Sequence, residues 1–91
     1  MEGKTKSGFK YKVDERAFSD WRFVLAVSKT QSGQDARSMT GATEMVELLL
    51  GNEGHKALIE HVAASHDGYA PAEVIMAEVS EIIQASTKAK N

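Results

Sequence analysis

The stretch GFKYKV at residues 8–13 is the one convincing run of alternation in this chain, with Phe9, Tyr11 and Val13 on one side and Lys10 and Lys12 on the other. That period marks a half-buried strand. No second convincing strand follows, and a lone strand is not stable in water. It needs the same strand of another copy, or one short irregular partner within the chain. The rest of the fold has to come from helix packing.

Helical spacing takes over directly after the strand. Residues 15–30 read as a first helix, capped by Asp14 or Ser19. Phe18, Trp21, Val24, Leu25 and Ser28 share one face of it, and Phe23 and Val27 widen the apolar arc. A helix apolar on two sides packs against more than one neighbour. Residues 31–41 are polar, carry two glycines and lack periodicity, so they read as a loop. A second helix over 42–50 buries Ala42, Met45, Val46 and Leu49, and Gly51-Asn52 stops it. A third over 53–65 carries Leu58, Ile59 and Val62. Pro71 opens a fourth that runs to about residue 86, with Ile75, Val79, Ile82 and Ile83 as its face. The expected fold is mainly α: a short N-terminal β-strand followed by a cluster of about four helices. Residues 8–86 form a single domain between a flexible N-terminus (1–7) and a flexible tail (87–91).

Charge is sorted along the chain. Residues 1–12 hold Lys4, Lys6, Lys10 and Lys12 against Glu2, a local +3, whereas 44–81 hold eight acids and Lys56 alone, a local −7. A duplex-binding surface is basic, and the most regular helices here are acidic, so no nucleic-acid partner is expected. The turn between the second and third helices has the length of a helix-turn-helix, but its second helix lacks base-reading cations. The sorting also fits head-to-tail self-association. Without cysteine, neither a disulfide nor a thiolate metal site can form, and no apolar run approaches the roughly 20 residues that span a bilayer. The polar start, MEGKTKSG, has no signal-peptide core. A cytoplasmic chain with no membrane partner is the expectation.

Catalytic patterns are absent. His55, His61 and His66 do not share a helix face at reachable height: the two that point alike, His55 and His66, stand about 16 Å apart along the axis. The i, i+4 spacing of a helical zinc pair is missing. Ser65-His66-Asp67 are chain neighbours, and a catalytic triad is assembled in space rather than along the chain. Gly51-Asn52-Glu53-Gly54 lacks the Lys and Ser/Thr of a phosphate loop. No enzyme activity, metal or cofactor is expected. Five of the six aromatics fall between residues 8 and 23. Aromatics dominate interface energetics, so this cluster is read as part core and part partner surface. The candidate protein-binding residues are Phe9, Tyr11, Val13, Phe18, Trp21, Phe23 and Leu25.

The order of three segments carries a family resemblance. GFKYKVDERAFSDWRFVLAV leads from strand to helix through the Asp20-Trp21 pair. MVELLLGNEGHKALIEHV closes a leucine-rich helix in Leu50-Gly51, and DGYAPAEVIMAEVSEII is a turn with a Pro-led last helix. Over roughly residues 8–85 this resembles the small tail assembly chaperones of long-tailed phages and prophages of Gram-positive bacteria. The resemblance implies a non-enzymatic role in the host cytoplasm during tail morphogenesis, with the chaperone absent from the mature virion. It implies binding to the apolar, helical tape measure protein until tail tube protein displaces the chaperone; the unpaired strand and the sorted charge make a homo-oligomer the expected state. The alternative is a structural phage connector or bacterial adaptor that stays in its final complex.

Overall fold

A computed structural model describes residues 1–31, 33 and 35–88. Two strands come first, β1 (Glu2–Lys4) and β2 (Lys10–Lys12). A 3-10 helix follows (Glu15–Ser19), then α1 (Trp21–Thr30), α2 (Asp35–Ala64) and α3 (Ala72–Lys88).

The strand has a partner inside the chain. β1 and β2 pair antiparallel, with Glu2 opposite Lys12, Gly3 opposite Tyr11 and Lys4 opposite Lys10. The Met1 ammonium donates to Val13 O (2.9 Å) and Val13 N donates to Met1 O (2.7 Å), which lengthens the ladder. Of the two partners expected for the strand, another copy or a short partner within the chain, the structure has the second, and residues 2–4 form a strand where a flexible lead-in was expected. EGK has no strand signature of its own. Its value is the absent side chain at Gly3, where a Cβ would collide with the Tyr11 ring.

Among the described residues there are three α-helices, not four. The expected second and third helices are two arms of α2, interrupted at Gly51, whose backbone (φ 77°, ψ 169°) is non-helical. Only glycine enters that region at small cost. Beside the break, Leu49 O accepts from Asp14 N at 3.4 Å, which ties the end of the hairpin to the bend. The expected first helix also divides. Asp14 caps the 3-10 helix and Asp20, rather than Ser19, caps α1. Part of the expected 31–41 loop is helical, since α2 begins at Asp35; residues 32 and 34 lie outside the described residues. At the far end α3 continues through Lys88, past the expected stop, and residues 89–91 also lie outside the described set.

One core joins these elements. Phe9, Tyr11 and Val13 from the hairpin meet Ala17, then Val46, Leu49, Leu58 and Val62 of α2, and Val79 and Ile82 of α3. Leu58 is 0% exposed and Val13 1%. The periodic stripes read from the sequence supply most of these residues, because a helix or strand buries its apolar face before any other. α1 packs on the first arm of α2 at close range. A Cβ at Gly41 would stand 2.5 Å from the Ala26 carbonyl oxygen and 2.7 Å from Lys29 Cβ.

Candidate docking surfaces

The seven candidate residues separate into three groups. Phe9, Tyr11 and Val13 are buried and serve the core. Phe18 and Phe23 are half-buried and meet edge to face, with ring centroids 5.4 Å apart, joining the 3-10 helix to α1. Trp21 (70% exposed) and Leu25 (46%) lie on the surface together with Val24. The face of α1 that packs is the other one, with Ala26 buried and Phe23, Val27 and Thr30 half-buried. The stripe of Trp21, Val24, Leu25 and Ser28, which looked core-forming in the sequence, points to solvent. Gly41 lets the α1 backbone approach closely, with the Ala26 carbonyl and Lys29 Cβ where a side chain would stand, and Ala26 is the fully buried residue of that face.

A second apolar surface was not anticipated. The bend at Gly51 leaves a cleft of about 260 Å³ between the two arms of α2 and the start of α3. Met39, Ala42, Thr43 and Val46 line it from the first arm, His55 and Ile59 from the second, and Ala70, Ala72, Ile75 and Met76 from the turn and α3. Met39, Ile59 and Met76 stand exposed around it. His55 is its one titratable lining residue, with Nδ1 3.5 Å from Glu47 Oε1. At 100° per residue, the cleft residues of the first arm are centred about 150° around the helix from Ser38, Gly41 and Glu44, which meet α1. The cleft and the α1 stripe therefore lie on nearly opposite sides of one helix. Ile59 had read as a buried stripe residue, and no local pattern marks the cleft. Its signal in the sequence was Gly51 itself, taken as a stop rather than as a bend that creates a concave wall.

A polar cluster closes the third side. The buried Glu78 (7% exposed) accepts from Thr5 Oγ1 (2.7 Å) and Ser7 Oγ (2.8 Å), and Glu81 Oε2 accepts from Lys6 N (2.8 Å). His61 Nε2 is 3.0 Å from Ser7 Oγ, and its ring lies against Phe9 at 5.4 Å. A Ser–His contact at this distance invites a test for nucleophilic chemistry. Ser7 has one proton, and it goes to the Glu78 carboxylate. His61 must then be the donor to Ser7, the reverse of a general base. The cluster fastens the hairpin turn to α3.

The other histidines are likewise engaged: His55 faces Glu47, and His66 Nδ1 is 2.8 Å from the Val62 carbonyl of its own helix. Among the described residues no group of three or more His, Cys, Asp or Glu side chains is placed to hold a metal ion. No helix among them is long and apolar enough to cross a membrane. Comparison with protein-family models, curated proteins and solved structures finds no match to this chain.

Proposed function

We propose that this chain is a phage or prophage tail assembly chaperone that binds the tape measure protein and keeps it soluble until tail tube protein assembles around it. In this reading it acts without catalysis, in the cytoplasm of the bacterial host, and is left out of the mature virion. The observation that supports it is the methionine-lipped cleft. A client made of long amphipathic helices presents apolar side chains at i, i+3 and i+4, and such helices dock in apolar grooves. Met39 and Met76 at the rim are flexible and polarizable, so they repack around different side chains. A holder that grips many segments of one client needs that tolerance.

Co-expression with the tape measure protein tests the reading, with Ile59→Glu and Met76→Glu as paired variants. Both residues are exposed, so the fold tolerates the charges. The wild-type chain is expected to keep the client in the soluble fraction and co-elute with it, and the double variant to lose at least nine-tenths of that recovery. A client that stays insoluble beside well-folded wild-type chain would remove the proposal.

A further inference from the structure

The α1 stripe remains without a partner, and its composition is self-complementary. We propose that two copies of this chain pair through α1 in an antiparallel, two-fold contact centred between Val24 and Leu25. The contact stands whether or not the cleft takes a client helix, because the two surfaces lie on nearly opposite sides of α2.

The argument starts from the helix geometry. At 100° per residue, Trp21 and Ser28 fall on the centre line of the stripe, with Val24 and Leu25 about 50° to either side. A two-fold axis midway between residues 24 and 25 sets Trp21 level with Ser28 of the second copy, and Ser28 level with the second Trp21. The largest side chain of the stripe thus meets its smallest polar one twice, which lets the two helices approach without a clash. Leu25 meets Leu25 and Val24 meets Val24 across the axis. The antiparallel arrangement also places the N-terminal end of each α1 beside the C-terminal end of the other, where the helix dipoles attract.

Charge favours the same face. The two cations of α1 are both held by carboxylates of their own chain. Arg22 Nη2 lies 2.7 Å from Asp20 Oδ2, and Lys29 Nζ lies 2.7 Å from Glu44 Oε1. The stripe therefore carries no uncompensated charge for a second copy to repel. Pairing of the hairpins is disfavoured, because their outer faces carry Lys4, Lys10 and Lys12, and like charges directly opposed destabilise a contact. The α1 stripe meets its own copy without the like-charge conflict of the hairpins.

The contact is small. Ten residues of helix span about 15 Å, and one such helix pair falls below the roughly 1,200 Å² of a standard stable interface. A weak dimer is expected, monomeric at about 10 µM and substantially paired by about 1 mM. Two copies joined this way leave both clefts open, so the dimer could grip one long client at two points and gain by avidity.

Sedimentation equilibrium across that concentration range is the experiment, with Ser28→Trp as the blocking variant. Ser28 is exposed, so the bulk is added outside the monomer core. Association should weaken at least tenfold while the melting temperature of the monomer is kept. The chain contains no cysteine, so Leu25→Cys reports the register directly. Mild oxidation should link Leu25→Cys chains into dimers and leave Met39→Cys chains, more exposed but on the other side of α2, as monomers. This readout holds even if Ser28→Trp misfolds. A chain that stays monomeric at about 1 mM, a dimer indifferent to Ser28→Trp, or cross-linking of Met39→Cys as ready as that of Leu25→Cys would each overturn the proposal.

Discussion

Asp14 and Asp20 perform the same task six residues apart. Each carboxylate accepts from the backbone N–H two residues on, and each grips the guanidinium of that residue, Arg16 or Arg22, through two hydrogen bonds. The two caps convert a single helical-looking run into a 3-10 helix and then α1. The Arg22 side chain, and after it the Arg22 N–H, holds the Asp20 carboxyl down to about 2 from an ordinary 3.8. A carboxyl with a lowered pKa stabilises the fold fully above its unfolded value and loses that contribution as pH falls towards the folded one. The cap should therefore weaken between about pH 4 and pH 2. Asn is also a good N-cap but does not ionise. We expect Asp20→Asn to flatten the acid dependence of helicity across this window while changing little at pH 7. Acid titration followed by circular dichroism, with the wild type alongside, reads the difference; two superimposable curves would show that Asp20 is not the group responsible.

At the scale of elements the decisive feature is the break in α2. Leu48-Leu49-Leu50 approaches Gly51 in a strongly helical pattern, and the chain bends where φ turns positive. A Cβ built at Gly51 meets nothing within 4 Å. Substitution there costs backbone strain alone, of order 1–3 kcal/mol. Gly51→Ala should lower stability by that amount in chemical denaturation. It should also straighten α2, opening the cleft and separating Asp14 N from Leu49 O. Wild-type stability in Gly51→Ala would mean the bend is not held by this backbone. Gly41 acts differently: its helical backbone suits any residue, but the space is taken by α1. One glycine sets an angle and the other a distance. Together they place the α1 stripe and the cleft on nearly opposite sides of one arm.

For the whole molecule, the longest-range link joins the first residues to the last helix. Thr5, Lys6 and Ser7 reach Glu78 and Glu81 across more than 70 residues of chain. Glu78 is buried, yet every buried polar side-chain atom described has a partner. Removing this carboxylate leaves the Thr5 and Ser7 hydroxyls, 3.1 Å apart, with one hydrogen bond between them in place of two to a carboxylate. Glu78→Ala should cost about 2–3 kcal/mol, more than a surface substitution, because a hydrogen-bonded charge is lost and its two donors lose that acceptor. Glu78→Gln keeps an acceptor oxygen and should cost less. A Thr5→Ala, Glu78→Ala double-mutant cycle gives the coupling directly; additive losses would mean the hairpin turn is not held by α3.

Most of the elements were legible in the sequence, β1 and the first turns of α2 excepted. Alternation over Phe9–Val13 marked a strand, and the stripes through Met45, Val46, Leu49, Leu58, Val62, Val79 and Ile82 marked the buried helix faces. These signals are local, because the side-chain period of a strand or helix is a property of the backbone. What the neighbours do was not legible. Glu2–Lys4 is a strand only because Tyr11 has room over Gly3 and the Val13 backbone groups need partners. Gly51 reads identically as a helix stop or as a bend within one helix. The outward Trp21 stripe and the inward Ala26 face compete for the same neighbour, and the Ala26 face packs where Gly41 lets the backbones approach closely. The sequence by itself determined most of the helical segments and which of their residues could be buried, but not the split before Trp21 or the start of α2 at Asp35. Only the tertiary structure decided which apolar face stays open, because that choice depends on how closely two backbones can approach.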